Sequence, residues 1–264
     1  MLRNVFLKTL WDMRRALLGW AIGITAVGVL YAAFYPAIRT PEYEEMMESF
    51  APEIMEALGF TAITTPVGYL GSTTFGLLGP ILIIIFGTWF GTKAVAGDED
   101  AGKLDVLLTH PVSRWQLVAE RLGSLVVAAT LICIALFGAL LGISGFAEFT
   151  EVGVANLLAA SIHLAALGIL FGGLALAVGA ATASRATAVA VVAIVGIVAY
   201  FGNTMASRIP ELGVLRDISP FHFYSGGSPL ANGLQAADLA VLLLTSVLLV
   251  VGGGLVFNRR DVAV

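Results

Sequence analysis

Charged side chains are scarce in this sequence. Aspartate, glutamate, lysine and arginine make up 12% of the 264 residues, whereas an ordinary soluble domain has about 25%. Hydrophobic residue types supply 58%. A soluble chain of this length could not cover so much apolar surface with so few polar side chains. The composition therefore excludes a water-soluble domain and indicates that a lipid bilayer is the solvent.

An excess of positive charge is also lacking, and so is cysteine. The formal net charge is −4 and the pI is about 5.3, so the chain offers no basic surface for neutralising the phosphates of a nucleic acid. Cys133 is the single cysteine, which excludes an intrachain disulfide and a multi-cysteine metal site. It lies in an apolar run, where we expect it to pack as a small hydrophobic residue.

Long apolar runs are what the sequence does contain. A helix needs about 20 apolar residues to cross about 30 Å of hydrocarbon, and the runs are too long and lack the period of two for strands. We therefore predict an all-α polytopic membrane protein, with residues 1–264 forming one domain. Its six transmembrane helices are predicted at residues 16–35, 70–92, 122–146, 154–184, 186–207 and 238–257. The fourth and fifth should form a tight hairpin with Arg185 at its tip.

The lysines and arginines predict the orientation of these helices. With six spans both termini lie on one side, and the opposite side would carry only Arg39, Arg208 and Arg216 of the 14 lysines and arginines. Because cytoplasmic loops are enriched in these residues, we predict a cell-membrane protein with both termini in the cytoplasm. Thr109 and Ser184 should then be cytoplasmic, and Ser49 and Ser225 external.

Four segments are predicted outside the hydrocarbon. Residues 1–15 have an apolar stripe at helical spacing and predict an interfacial helix on the inner membrane surface. The external loop 36–69 should form a small cap of two short helices, whose glutamates we interpret as a solvated face. The cytoplasmic segment 93–121 and the external segment 208–237 complete the set.

Segment 93–121 contains the most specific pattern. Three acidic residues (Asp98, Glu99 and Asp100) would begin a helix, where the helix dipole favours negative charge. Three leucines (Leu104, Leu107 and Leu108) then form an apolar stripe, and Pro111 ends that helix. Ser113 and Gln116 have the spacing of a capping box for the third span. The stripe could dock a partner or rest on the chain's own helix ends, and physical reasoning alone leaves both open.

Two enzymatic motifs are partly matched. Gly97, Gly102 and Lys103 follow most of a phosphate-binding loop, but Leu104 replaces the hydroxyl residue and no strand precedes it. Residues 142–145 resemble the serine motif of rhomboid intramembrane proteases, so Ser144 and His163 could form a nucleophile and base if they met. We expect Ser144 to have a helix-ending role instead.

Polar residues inside the spans are the remaining functional candidates. Asn156, His163 and Asn203 could line a substrate path, since polar groups in hydrocarbon are often functional, or they could form interhelical hydrogen bonds. His163 is also the one group that could couple ions in a secondary transporter. Glycines at the spacing of close helix contacts form the pairs Gly19 and Gly23, Gly87 and Gly91, Gly138 and Gly142, and Gly168 and Gly172.

The cytoplasmic motif also carries a resemblance. Residues 97–114, GDEDAGKLDVLLTHPVSR, resemble the segment after the second span in type-2, exporter-class ABC transporter permeases. SPFHFY at 219–224 and FNRRDV at 257–262 resemble the external segment before the sixth span and the C-terminal ending of short permeases of that class, such as those of copper-handling, sodium-export or antibiotic-resistance operons. Lys103 departs from the usual small hydroxyl residue, and Glu120 and Arg121 stand where a lysine is usual.

The resemblance implies a transport subunit without catalytic, cofactor or metal sites of its own. In that family the segment is a coupling helix that enters a cleft on a separate ATPase, which binds ATP and magnesium. Two permeases, a homodimer of this chain or a heterodimer with a similar permease, would assemble with two ATPase copies in the bilayer, with no role for nucleic acid. The residues implied in ATPase docking are Glu99, Gly102, Leu104, Leu107, Leu108, Pro111 and Arg114.

Overall fold

The computed structural model describes residues 4–40, 63–102, 104, 112–206 and 213–260, together with Glu42, Glu45 and Ser49. In these residues the regular structure is entirely helical. The helices in chain order are α1 (Val5–Ala33), α2 (Tyr35–Ile38), α3 (Pro66–Ser72), a π-helix (Thr74–Leu78), α4 (Gly79–Ala94), α5 (Ala96–Asp100), α6 (Arg114–Ile143), α7 (Val154–Thr182), α8 (Arg185–Ala206), α9 (Gly213–Asp217), α10 (Pro220–Ser225), α11 (Pro229–Asn232) and α12 (Ala236–Arg259).

Six stretches of helix are long and apolar enough to cross a membrane. They are α1 with α2, α3 to α4 through the π-helix, α6, α7, α8 and α12. This confirms the prediction of an all-α polytopic membrane protein with six spans. The third helix begins at Arg114, earlier than the predicted 122, because charged residues can continue a helix beyond the hydrocarbon. Its 30 residues would extend about 45 Å, longer than the apolar core is thick.

The interfacial helix predicted at residues 1–15 is not a separate element. Asn4 caps a single helix of 29 residues that runs from Val5 to Ala33 without a break at residue 15. Neither proline nor a glycine turn interrupts this stretch, so the helix of the first span continues into the charged N-terminal part. The predicted short helices inside loop 36–69 lie mainly outside the described residues.

Helix α7 lies at the centre of the bundle. In its most apolar window 83% of the residues are buried, compared with 17–44% in the other five spans. It packs against α4, α6, α8 and α12. Two predicted glycine pairs meet here: a Cβ on Gly87 would lie 2.4 Å from the Gly168 carbonyl oxygen, and one on Gly91 would lie 2.2 Å from that of Gly172. The absence of side chains therefore permits the two backbones to touch.

The other two glycine pairs lie on open faces of the described structure. A Cβ on Gly19, Gly23, Gly138 or Gly142 would have no neighbour within 4 Å. The hairpin between the fourth and fifth spans is confirmed, with α7 ending at Thr182 and α8 beginning at Arg185. Ala183 takes the left-handed conformation, with φ of 54°, which ends α7 within a single turn.

Candidate functional site

The short helix α5 carries three consecutive carboxylates, and each one contacts an arginine from a different part of the chain. Asp98 pairs with Arg121 on α6. Glu99 Oε2 lies 2.5 Å from Nη2 of Arg260, just after α12. Asp100 Oδ2 lies 3.4 Å from Nε of Arg185, the first residue of α8. We call Asp98, Glu99 and Asp100 the acidic turn; it connects the ends of three spans on one side of the bundle.

The three ion pairs differ in burial. The side chains of Arg121 and Asp98 are 8% and 17% exposed, and those of Arg260 and Glu99 are 20% and 9% exposed. Those of Arg185 and Asp100 are 48% and 52% exposed. Buried pairs depend strongly on both partners, whereas exposed pairs contribute little. The acidic turn is therefore held firmly to α6 and α12 and more loosely to α8.

Helix α1 joins the same network through α6. Nη1 of Arg121 donates to the hydroxyl of Thr9, at 2.9 Å. Glu120 accepts the backbone N–H of Phe6, at 2.8 Å, and so satisfies one of the free donors at the start of α1. Glu120 and Arg121, which stand where a lysine is usual in the permeases that this chain resembles, thus have defined structural partners.

Gly97 precedes the acidic turn and lies under Arg185. A Cβ at residue 97 would lie 2.2 Å from Nη2 of Arg185. This contact explains why residue 97 is a glycine without any need for a bound phosphate. Three carboxylates also follow Gly97 directly in the sequence. Gly102 has φ of +61° and so takes the left-handed conformation that favours glycine. Lys103 lies outside the described residues.

Leu104 is not available to a partner in this structure. Its exposed fraction is 1%, and it belongs to a buried cluster with Val5, Val95, Leu117 and Phe257. In this structure Leu104 therefore rests on the chain's own helix ends. Its docking role, which the resemblance implies, stays a prediction. Leu107, Leu108 and Pro111 lie outside the described residues.

Arg114 holds the C-terminal end of α12. Its Nη1 donates to the carbonyl oxygens of Phe257 and Arg260, at 2.6 and 2.5 Å, and its guanidinium carbon lies 5.1 Å from the centre of the Phe257 ring. Cations at a helix C-terminus satisfy its last carbonyl groups. Ser113 caps α6 by accepting the N–H of Gln116, as predicted, but the Gln116 side chain donates to Glu120.

The arginines that pair with the acidic turn were missed by sequence reasoning, which assigned the carboxylates to a helix dipole. A signal was present, since Arg121, Arg185 and Arg260 each stand next to one end of a predicted span. A cation at the edge of hydrocarbon needs a counter-ion. The sequence does not show which carboxylate faces which arginine.

The three candidate residues of a substrate path occupy different settings. Asn156 donates to the carbonyl of Ala231, at 2.9 Å, and so ties α7 to α11. His163 is fully buried on α7, and its Nε2 accepts the N–H of Gln235, at 3.3 Å. Asn203 is half-buried near the end of α8. The first two lie beside the segment between α8 and α12. Asn203 is not among the residues that line the cavity next to His163.

The structure does not pair Ser144 with His163 as nucleophile and base. The Ser144 hydroxyl donates to the carbonyl of Leu141, at 2.8 Å, where α6 ends. His163 instead contacts Gln235. The geometry therefore favours the helix-ending role for Ser144, and the described residues show no catalytic contact between the two side chains.

Comparison with known proteins identifies one family. Residues 3–262 match the family model described as ABC-2 family transporter protein. The match covers nearly the whole chain, including the acidic turn and all six apolar stretches. No curated protein matches the chain.

Proposed function

We propose that this chain, which belongs to the ABC-2 family of transporter proteins and is thus a permease subunit of an ABC transporter, exports its substrate by coupling to a separate ATPase. The observation that supports coupling is the acidic turn. It lies between the second and third spans, directly before the leucine segment, and pairs with arginines at the ends of three other helices. Movement of the segment would therefore reach α6, α8 and α12 together.

The docking contacts of this proposal are Leu107 and Leu108, with Pro111 ending their helix. Leu104 fastens the same segment to the membrane domain, because it is buried against α4, α6 and α12 residues. Glu99 and Arg114 have the same fastening role, through Arg260 and the end of α12. ATP and magnesium bind the ATPase, and this chain supplies the surface on which the ATPase acts.

The proposed cycle uses two arrangements of the membrane helices. ATP-driven closure of the ATPase subunits would shift the docked segment and with it the ends of α6, α8 and α12. A partner can shift such an equilibrium only by binding one arrangement more tightly than the other. The exposed Arg185–Asp100 pair is the contact most easily exchanged during this shift, since water can replace it at little cost.

The complete assembly of this proposal has two copies of this chain and two ATPase subunits. It lies in the cell membrane, with both termini of this chain in the cytoplasm. Six spans form one half of such a membrane unit. The glycine pairs on the open faces of α1 and α6 would allow another helix to approach closely. We therefore expect a homodimer.

Native mass spectrometry of the complex purified from membranes tests both parts of the proposal. The unmodified chain should give two permeases with two ATPase subunits. Leu107→Asp should place an unpaired carboxylate in an apolar cleft, which costs several kcal/mol, so the permease dimer should remain while the ATPase subunits are lost.

Leu234→Asp is the matched control. Leu234 is 53% exposed in the segment predicted to be external, so the same substitution there should leave both subunits bound. Retention of the ATPase by Leu107→Asp would contradict the docking assignment. A single permease with one ATPase in the unmodified sample would contradict the homodimer.

A further inference from the structure

The first helix is longer than the hydrocarbon that it crosses. Helix α1 has 29 residues and ends at Ala33. Its residues 14–33 extend about 30 Å, which is the thickness of the hydrocarbon core. Arg14 and Arg15 therefore lie at one boundary of the hydrocarbon, and the turns of α1 that precede them lie among the lipid headgroups.

One face of α1 is open on both sides of this boundary. The exposed fractions are 59% for Trp11, 62% for Leu18 and 68% for Ile22, and their spacing in the sequence places them along one face of the helix. Leu18 and Ile22 lie within the hydrocarbon, so this face contacts lipid there. Trp11 continues the face into the headgroup layer, where tryptophan is enriched in membrane proteins.

The glycine pair of α1 lies on a different edge of the helix. Gly19 and Gly23 each follow an exposed apolar residue by one position, which is a rotation of about 100° around the helix axis. Another helix that packs against the two glycines therefore leaves the edge with Trp11, Leu18 and Ile22 open to lipid.

Three basic side chains surround Trp11. Lys8, Arg14 and Arg15 stand three or four residues from Trp11 and so share its face, and all three are exposed. We call these four residues the Trp11 patch. The guanidinium carbon of Arg14 lies 4.2 Å from the centre of the Trp11 ring, and its Nη1 donates to the Trp11 carbonyl oxygen, at 2.6 Å. Arg14 thus turns back towards the headgroups, with most of its N–H donors free.

The cations of the Trp11 patch have no acidic partner in the described part of the chain. Asp12 is the carboxylate nearest to them in the sequence, and it acts electrostatically on Arg121 of α6. Both oxygens of Glu120 already accept hydrogen bonds, from the Phe6 N–H and the Gln116 side chain. The patch therefore keeps an excess of positive charge.

We propose that the Trp11 patch binds the headgroup of an anionic phospholipid in the leaflet around this end of α1. The lipid phosphate accepts charge-assisted hydrogen bonds from Arg14 and Arg15, and the acyl chains pack along Leu18 and Ile22. Charge selects this occupant, because the headgroup supplies the negative charge that the described chain does not place there. The proposal does not depend on the ATPase, so it can fail or hold independently of the proposed function.

Native mass spectrometry of the full chain in a neutral detergent tests it, with phosphatidylglycerol and phosphatidylcholine of identical acyl chains as the probes. Arg14→Gln combined with Arg15→Gln should weaken the first phosphatidylglycerol adduct by roughly 10- to 30-fold, as expected for two cations near a charged lipid surface. The affinity for phosphatidylcholine should not change, which also shows that the double variant keeps its fold.

Arg39→Gln combined with Arg216→Gln is the matched control. It removes the same charge from two exposed arginines, but each of these already pairs with a carboxylate, at 3.5 and 3.1 Å. The control should therefore keep the affinity for phosphatidylglycerol. Equal affinities of the unmodified chain for the two lipids, or an equal loss in the two double variants, would overturn the proposal.

NMR of the chain labelled with 5-fluorotryptophan locates the bound lipid. The Trp11 resonance, assigned by its loss in Trp11→Phe, should shift in nanodiscs as phosphatidylglycerol replaces phosphatidylcholine, and this shift should disappear in the Arg14 and Arg15 double variant. If that variant instead keeps its phosphatidylglycerol affinity and loses a second copy of the chain or the ATPase, the patch is a protein interface and the proposal is wrong.

Discussion

Arg121 places a positive charge in the N-terminal part of α6 with only 8% of its side chain exposed. Removing such a charge from water costs several kcal/mol unless partners replace the lost hydration. Asp98 supplies the opposite charge and Thr9 accepts a hydrogen bond. This one side chain therefore joins α1, α5 and α6, and its neutral replacement would affect all three.

We predict that Asp98→Asn destabilises the chain far more than Asp100→Asn does. The first change removes the ion-pair partner of the buried Arg121, a loss of about 3–5 kcal/mol. The second removes a half-exposed pair with Arg185, for which a loss of up to about 1 kcal/mol is expected. Thermal unfolding of the two purified variants in one detergent measures the difference. Equal losses of stability would show that burial does not distinguish the two pairs.

At the scale of elements, the contact between α4 and α7 depends on the lack of side chains at Gly87, Gly91, Gly168 and Gly172. The glycine spacing predicts a close helix contact at all four pairs equally well. Only two of the pairs face another helix in the described structure. The rotation of each helix about its axis decides this, and rotation depends on every neighbour that the helix packs against.

We predict opposite effects for two glycine-to-alanine substitutions. Gly91→Ala puts a Cβ 2.2 Å from a backbone oxygen of α7, so the helices must separate, with a loss of about 1–3 kcal/mol. Gly252→Ala, on α12, has no neighbour within 4 Å and should be neutral or stabilise α12 by up to about 1 kcal/mol. The unfolding temperatures of both variants in detergent provide the measurement. A stable Gly91→Ala protein would contradict the close packing of α4 on α7.

At the scale of the whole molecule, the acidic turn and the cavity beside His163 lie at opposite ends of the helix bundle. The end with the acidic turn is rich in ion pairs and hydrogen bonds that connect α1, α5, α6, α8 and α12. The other end has a preformed cavity between short helices. The ion pairs therefore join helix ends on one side of the bundle, away from that cavity.

The orientation is tested by labelling introduced cysteines with a membrane-impermeant maleimide. Ser225→Cys should react in intact cells, whereas Ser184→Cys, at the α7–α8 hairpin, should react only after permeabilisation. Native Cys133 is buried, so it should contribute little background. Labelling of Ser184→Cys in intact cells would reverse the orientation that the lysine and arginine distribution predicts.

The sequence by itself determined the fold class, the six spans and the position of the acidic motif between the second and third of them. Each follows from the hydropathy or spacing of one continuous segment, and a backbone in lipid has few alternatives to a helix. It also identified Glu99 and Arg114 as members of the motif, and Ser113 as a helix cap. The docking role of Leu107 and Leu108 stays a prediction.

Only the tertiary structure decided which residues meet. Arg121 and Thr9 are 112 residues apart and Arg260 and Glu99 are 161 apart, and no local pattern encodes such pairs. The same holds for the burial of Leu104 and for the place of His163 beside Gln235. These contacts depend on how six helices rotate and pack together, because a side chain's partners are set by the neighbouring helices as much as by its own.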